Sequence, residues 1–171
     1  MGHTVVLGFD HESDAYIRKL LEPYVTNKIP FGRKCDRDAT NHAMPYHMTL
    51  YHWPKTQDAC CLPKLTGFQS NPCQLQVNGV HIMPAEEDSW LLYLEVGATE
   101  TFLQLKARFE EYTGFRVLGF HHITLAVSKD HDALAKIRRH ILEKQTFPFL
   151  LSADRMDLFK IWSPTQKITS L

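Results

Sequence analysis

The sequence predicts an α+β chain folded as one compact unit spanning residues 1–171, and three observations carry that reading. Short runs rich in β-branched and aromatic residues alternate with amphipathic runs of helical period along the whole length. Two of the short runs, far apart, repeat the same four-residue pattern. No Pro- or Ser-rich stretch divides the chain, and 171 residues are enough for one domain with a substantial core.

The elements follow in order. TVVLGF (4–9) reads as an opening strand. Asp10 or Ser13 caps a helix whose apolar stripe is Ala15, Ile17, Leu20, Leu21 and Tyr24, bounded by Pro23 and Pro30. Residues 26–44 are polar and read as a long loop, the kind that is often functional. A strand over 46–53 stops at Pro54. Residues 56–68 suggest a short helix interrupted by Pro63. QLQVNGVHI (74–82) and SWLLYLEV (89–96) alternate apolar and polar residues and form a hairpin through PAEED. The clearest helix is 99–113, with Thr99 as cap, Glu100 at its positive end, and Gly114 as its stop. A strand over 120–127 and a helix over 130–145 come next. Residues 147–162 supply one or two closing strands, followed by a short polar tail.

Composition narrows the classes. Formal net charge is zero, which argues against long nucleic-acid tracts held by bulk electrostatics but leaves room for a small anionic ligand. The four cysteines, Cys35, Cys60, Cys61 and Cys73, lack C-x-x-C spacing and read as free thiols of a reducing compartment. The opening residues are too short an apolar run for a signal peptide, and Val6 stands where a myristoylation motif wants Ser or Thr. No run reaches the length of a membrane span. A cytoplasmic protein with no membrane partner is expected, and a monomer.

The repeated pattern is His47-Met48-Thr49-Leu50 and His122-Ile123-Thr124-Leu125, the two copies 75 positions apart. Along a strand, residues i and i+2 share a face. His47 and Thr49 therefore point one way while Met48 and Leu50 point into a core; His122 and Thr124 repeat the arrangement. His121 has the parity of the apolar residues and reads as structural. Two such strands side by side present two imidazoles, which give or take protons near neutrality, and two hydroxyls, which donate to anionic oxygens. A phosphodiester reaction needs that set: a base, an acid and neutral donors for the non-bridging oxygens. One His-x-Ser/Thr is expected by chance, but the doubled pattern arises in under about one chain in a hundred of this composition.

In these motifs the chain resembles the two-histidine (2H) phosphoesterase superfamily of RNA 2′,3′-cyclic phosphodiesterases and 2′–5′ RNA ligase-like proteins. The resemblance implies a bilobed α+β fold, with two antiparallel sheets related by a pseudo-two-fold axis, helices outside and a central cleft. It implies metal-independent hydrolysis of 2′,3′-cyclic phosphate RNA ends or of small cyclic or 2′–5′-linked nucleotides, with no cofactor. His47 and His122 would be catalytic, with His122 as base and His47 as acid, and Thr49 and Thr124 would hold phosphate oxygens. The alternative is a nucleotide- or RNA-end-binding module that kept the cleft without turnover.

Other residues weigh less. By parity Tyr51 can line the same groove as a substrate contact and Trp53 continues that face, whereas His52 lies opposite; Trp162 is a further stacking candidate, and a place in the core is the default for all three aromatics. Arg33, Lys34 and Arg155 can attract phosphate, with a solvated surface place as the default. His3, His42, His81, His131 and His140 read as surface or structural, and no H-x-x-x-H spacing supports a metal site.

Overall fold

In the computed structural model, residues 2–22, 24, 46–86, 88–160 and 163–170 are described, with Lys55, Phe159, Lys160 and 163–170 as backbone only. Among these residues, seven strands and four α-helices follow one another as β1 (Gly2–Phe9), α1 (His11–Leu21), β2 (His47–Pro54), α2 (Asp58–Leu65), β3 (Cys73–Pro84), β4 (Trp90–Gly97), α3 (Glu100–Thr113), β5 (His122–Ser128), α4 (His131–Lys144), β6 (Phe149–Lys160) and β7 (Ser163–Ser170). A short 3-10 turn, Lys55–Gln57, leads into α2. The tail, read from the sequence only as short and polar, forms strand β7, paired antiparallel to β6. The expected loop 26–44, with Arg33, Lys34 and His42, and also Trp162, lies outside the described residues.

All of these strand pairs are antiparallel, in the order β1-β2-β5-β4-β3-β6-β7, with β6 also paired to β1. The two expected sheets are thus two halves of one hydrogen-bonded sheet. One half holds β1, β2, β7 and the end of β6; the other holds β3, β4, β5 and the start of β6. The halves meet twice. Through β6, Phe149–Ala153 pairs with β3 and Ala153–Lys160 pairs with β1. Between β2 and β5, one residue pair is in register, Met48 with Ile123.

Helices α1 and α2 back the first half; α3 and α4 back the second. Their stripes bury Ile17, Leu20 and Leu21, Phe102, Leu105 and Phe109, and Leu134, Ile137 and Ile141 in one continuous core with Leu7, Met48, Leu92 and Ile123. Full burial of each such side chain is worth about 1.5–3 kcal/mol. Side-chain caps start three helices: Asp10 accepts from Ser13 N at 2.7 Å, Thr99 from Phe102 N at 3.2 Å, and Asp130 from Ala133 N at 2.9 Å. Gly114 ends α3 at φ 71°, a left-handed conformation that costs any residue with a Cβ. Cys60, Cys61 and Cys73 are free thiols. No helix among the described residues is long and apolar enough to cross a membrane.

Candidate active site

The site is built around the Met48–Ile123 rung. Both residues are fully buried on the helix side, so their sequence neighbours turn to the opposite face. Projecting the antiparallel register one residue each way sets His47 across from Thr124 and Thr49 across from His122. In the projected register the two histidine positions lie on one diagonal of a roughly square backbone array and the two threonine positions on the other. Its edges are about 5 Å across the strands and about 7 Å along them. All four side chains are half-buried, at a seam open to solvent.

Each motif continues into a β-bulge at its leucine. On β2, Thr49 pairs with Val6 and Tyr51 with Val5, so Leu50 is the extra residue. On β5, Thr124 pairs with Tyr93 and Ala126 with Leu92, so Leu125 is the extra residue. A bulge breaks alternation, and this corrects the reading of the groove. Tyr51 shares its face with Val5, not with His47 and Thr49, and its ring stacks on Phe115 at 4.3 Å and 9°. Trp53 is also on the helix side, where its indole donates to Asp58 Oδ1 at 2.9 Å beside the buried His3, whose Nδ1 lies 2.7 Å from the same oxygen. His52, expected opposite, pairs with Thr4 and is exposed on the face of His47 and Thr49.

The register makes the two halves internally equivalent. His47 pairs with Gly8, and Gly8 with Arg155; His122 pairs with Glu95, and Glu95 with Gly79. Thr49 leads through Val6 to Asp157; Thr124 leads through Tyr93 to His81. A second bulge matches as well, at Asp154 in β6 and at Asn78 in β3. The pseudo-two-fold axis thus passes through the Met48–Ile123 rung and relates strands, bulges and motifs alike.

The side chains around the motifs are not equivalent. On the His47 side the guanidinium of Arg155 lies over Gly8, where a Cβ would come within 2.7 Å of its Nε. Arg155 donates to Phe9 O through Nη1, meets Asp154 at 3.1 Å and reaches the buried Asp157 at 3.3 Å. On the His122 side stand Glu95, whose carboxylate meets His81 Nε2 at 3.2 Å, and an aromatic group that the sequence did not single out. Phe120, 46% exposed, stacks on His122 at 4.9 Å, and Tyr93 presents an edge to both rings. The signal that could have found Phe120 is its place two residues before the motif histidine. His121 faces the helices, edge-on to Phe102 at 4.9 Å; burial, with Lys106 nearby, holds it below the ordinary imidazole range. Among the described residues no group of three or more His, Cys, Asp or Glu side chains is gathered as a metal site.

Several solved chains share this fold. Usb1 of Kluyveromyces marxianus matches with a TM-score of 0.52 over 99% of this chain and 96% of its own, at 11% identity. TT0787 of Thermus thermophilus matches with a TM-score of 0.52 over 100% of this chain and 97% of its own, at 17% identity. At these identities the likeness is one of fold. No protein-family model and no curated protein matches the sequence.

Proposed function

We propose that this chain is a phosphodiesterase of the two-histidine kind, hydrolysing 2′,3′-cyclic phosphates at RNA ends or on small nucleotides. The observation that carries the reading is the Met48–Ile123 rung, which draws two distant His-x-Thr motifs into one diagonal arrangement. A phosphate centred on that square has an imidazole on each side, the disposition that in-line displacement requires. One imidazole takes a proton from water while the other gives a proton to the departing ribose oxygen. The hydroxyls of Thr49 and Thr124 donate to the non-bridging oxygens as charge builds on them. The exposed ring of Phe120 beside His122 supports a nucleotide in particular, since an aromatic face at a phosphate site offers a stacking surface to a base.

The test is incubation of the purified protein with 2′,3′-cyclic mononucleotides in the presence of EDTA, with products resolved by chromatography. Turnover insensitive to chelation is expected, together with losses of roughly 10²–10⁴ in rate for His47→Ala and His122→Ala. Near-normal turnover in either variant would falsify the mechanism. Binding of the nucleotide by the wild type without turnover would leave a recognition module instead.

A further inference from the structure

Beside His122, the second half of the sheet carries a patch that the proton transfers do not use. Val96 N donates to His121 O at 3.1 Å, which extends the β4–β5 register past the Glu95–His122 pair and brings Gly97 opposite Phe120. On its other side Gly97 pairs with Gln76 of β3. A ring and an amide therefore flank a position without a side chain, each about 5 Å from it by cross-strand spacing. The bulge in β3 completes the row. Asn78 is its extra residue and lays its amide over Gly97, where a Cβ would come within 2.5 Å of Nδ2. Gln76 Nε2 donates to Asn78 Oδ1 at 2.8 Å.

Resting on the phosphodiester reading above, we infer that this row is a nucleobase subsite, in which Phe120 is the stacking face and the Asn78–Gln76 amide pair bonds the edge of the base. Phe120 is 46% exposed, yet its ring is held by His122 at 4.9 Å and by the edge of Tyr93 at 5.4 Å. A flat apolar surface that is already positioned loses little freedom when a base covers it. Phe120 lies two residues from His122, about 7 Å along the chain, a gap that one ribose bridges.

The amides also set what kind of base is accepted. Whichever way the two are turned, the bond between them uses one NH2 group and one carbonyl oxygen and leaves one of each. An adjacent neutral donor and acceptor complement the Watson–Crick edge of every nucleobase, and stacking is tolerant of base identity. The nearest carboxylate on β4, Glu95, lies one row away and meets His81 Nε2 at 3.2 Å. The substrate class is therefore a nucleoside 2′,3′-cyclic phosphate of any base, and not a sugar cyclic phosphate that lacks one. Phe120, Asn78 and Gln76 are specificity residues on this reading, and Gly97 makes room for them.

The experiment compares kcat/KM on the four nucleoside 2′,3′-cyclic phosphates with kcat/KM on methyl riboside 2,3-cyclic phosphate, which has a methyl group in place of the base. In the wild type the four nucleotides should agree within about tenfold and exceed the methyl riboside by roughly tenfold or more. Phe120→Ala should lower the nucleotide values by about tenfold, chiefly through KM, and so close most of the gap between the two substrate types. Phe120→Tyr, which keeps the stacking face, should preserve the gap. Asn78→Ala, and Gly97→Ala by displacing the same amide, should each narrow it by roughly two- to tenfold. Thermal melts check that each variant is folded. Equal turnover of nucleotides and methyl riboside by the wild type overturns the inference alone. So does a loss in Phe120→Ala that falls equally on both substrate types, which would make the ring a support for His122 and not a base contact. A wild type that turns over neither overturns the phosphodiester reading; the subsite is then judged by calorimetry, and nucleotides binding no tighter than the methyl riboside overturn it as well.

Discussion

Met48 faces Ile123 across the rung that joins β2 to β5, and both side chains are completely buried beneath the motif square. The position of the four motif side chains therefore depends on two buried apolar residues. Met48→Ala and Ile123→Ala are each expected to cost about 2–5 kcal/mol. As contacting neighbours, they should couple by about 0.5–3 kcal/mol in a double-mutant cycle read by urea denaturation. Turnover in the single variants should fall further than the fraction unfolded explains. Strictly additive losses would mean that the two residues do not act as one support.

Thr49 and Thr124 stand at the other corners of the square, half-buried and on the histidine face. Replacing either with Val removes a hydroxyl and leaves the branched shape. A loss of roughly 10²–10³ in kcat is expected for each, the usual cost of removing one donor to a developing oxyanion. KM should change little, and the melting curve should move by less than about 0.5 kcal/mol. A raised KM at unchanged kcat would show that these hydroxyls bind the ground state and the transition state alike.

Asp10 links helix capping to pH. Burial works to raise the pKa of its carboxyl, but hydrogen bonds from Ser13 and Ser152 and the Arg155 charge together hold it below the ordinary value of 3.8. A carboxyl depressed in the folded state stabilises the fold above the unfolded pKa and loses that contribution as pH falls through the folded value. Asp10→Ala should cost about 1 kcal/mol at neutral pH through the lost cap. Asp10→Asn keeps a capping oxygen without the charge, so its deficit relative to wild type should vanish as urea melts are taken into the acid range. A deficit that persists at every pH would place the effect in geometry instead of charge.

The order of elements from β1 to β6 was legible because each is governed by local chemistry: apolar period, caps at Asp10 and Thr99, and the stop at Gly114. Strand β7 was not. Its SPTQKITS sequence has no apolar run, and only its pairing with β6 makes it a strand. The faces of His47, Thr49, His122 and Thr124 followed from simple alternation because the four precede the bulges. Tyr51, Trp53 and His52 follow one, and a bulge at Leu50 leaves no mark that distinguishes it from an ordinary strand leucine. Glu95 and Gly8 escaped for a different reason. Their nearness to the motifs is a matter of register between strands far apart in sequence, which no local pattern encodes.

Strand β6 changes partners at Ala153, which is in register with Cys73 on one side and with Phe9 on the other. Neither lobe owns a complete set of strands, so neither can melt while the other persists. A cut or an insertion at that residue would not release two smaller folding units; it would unravel both. The two halves are accordingly joined as the two ends of one shared beam.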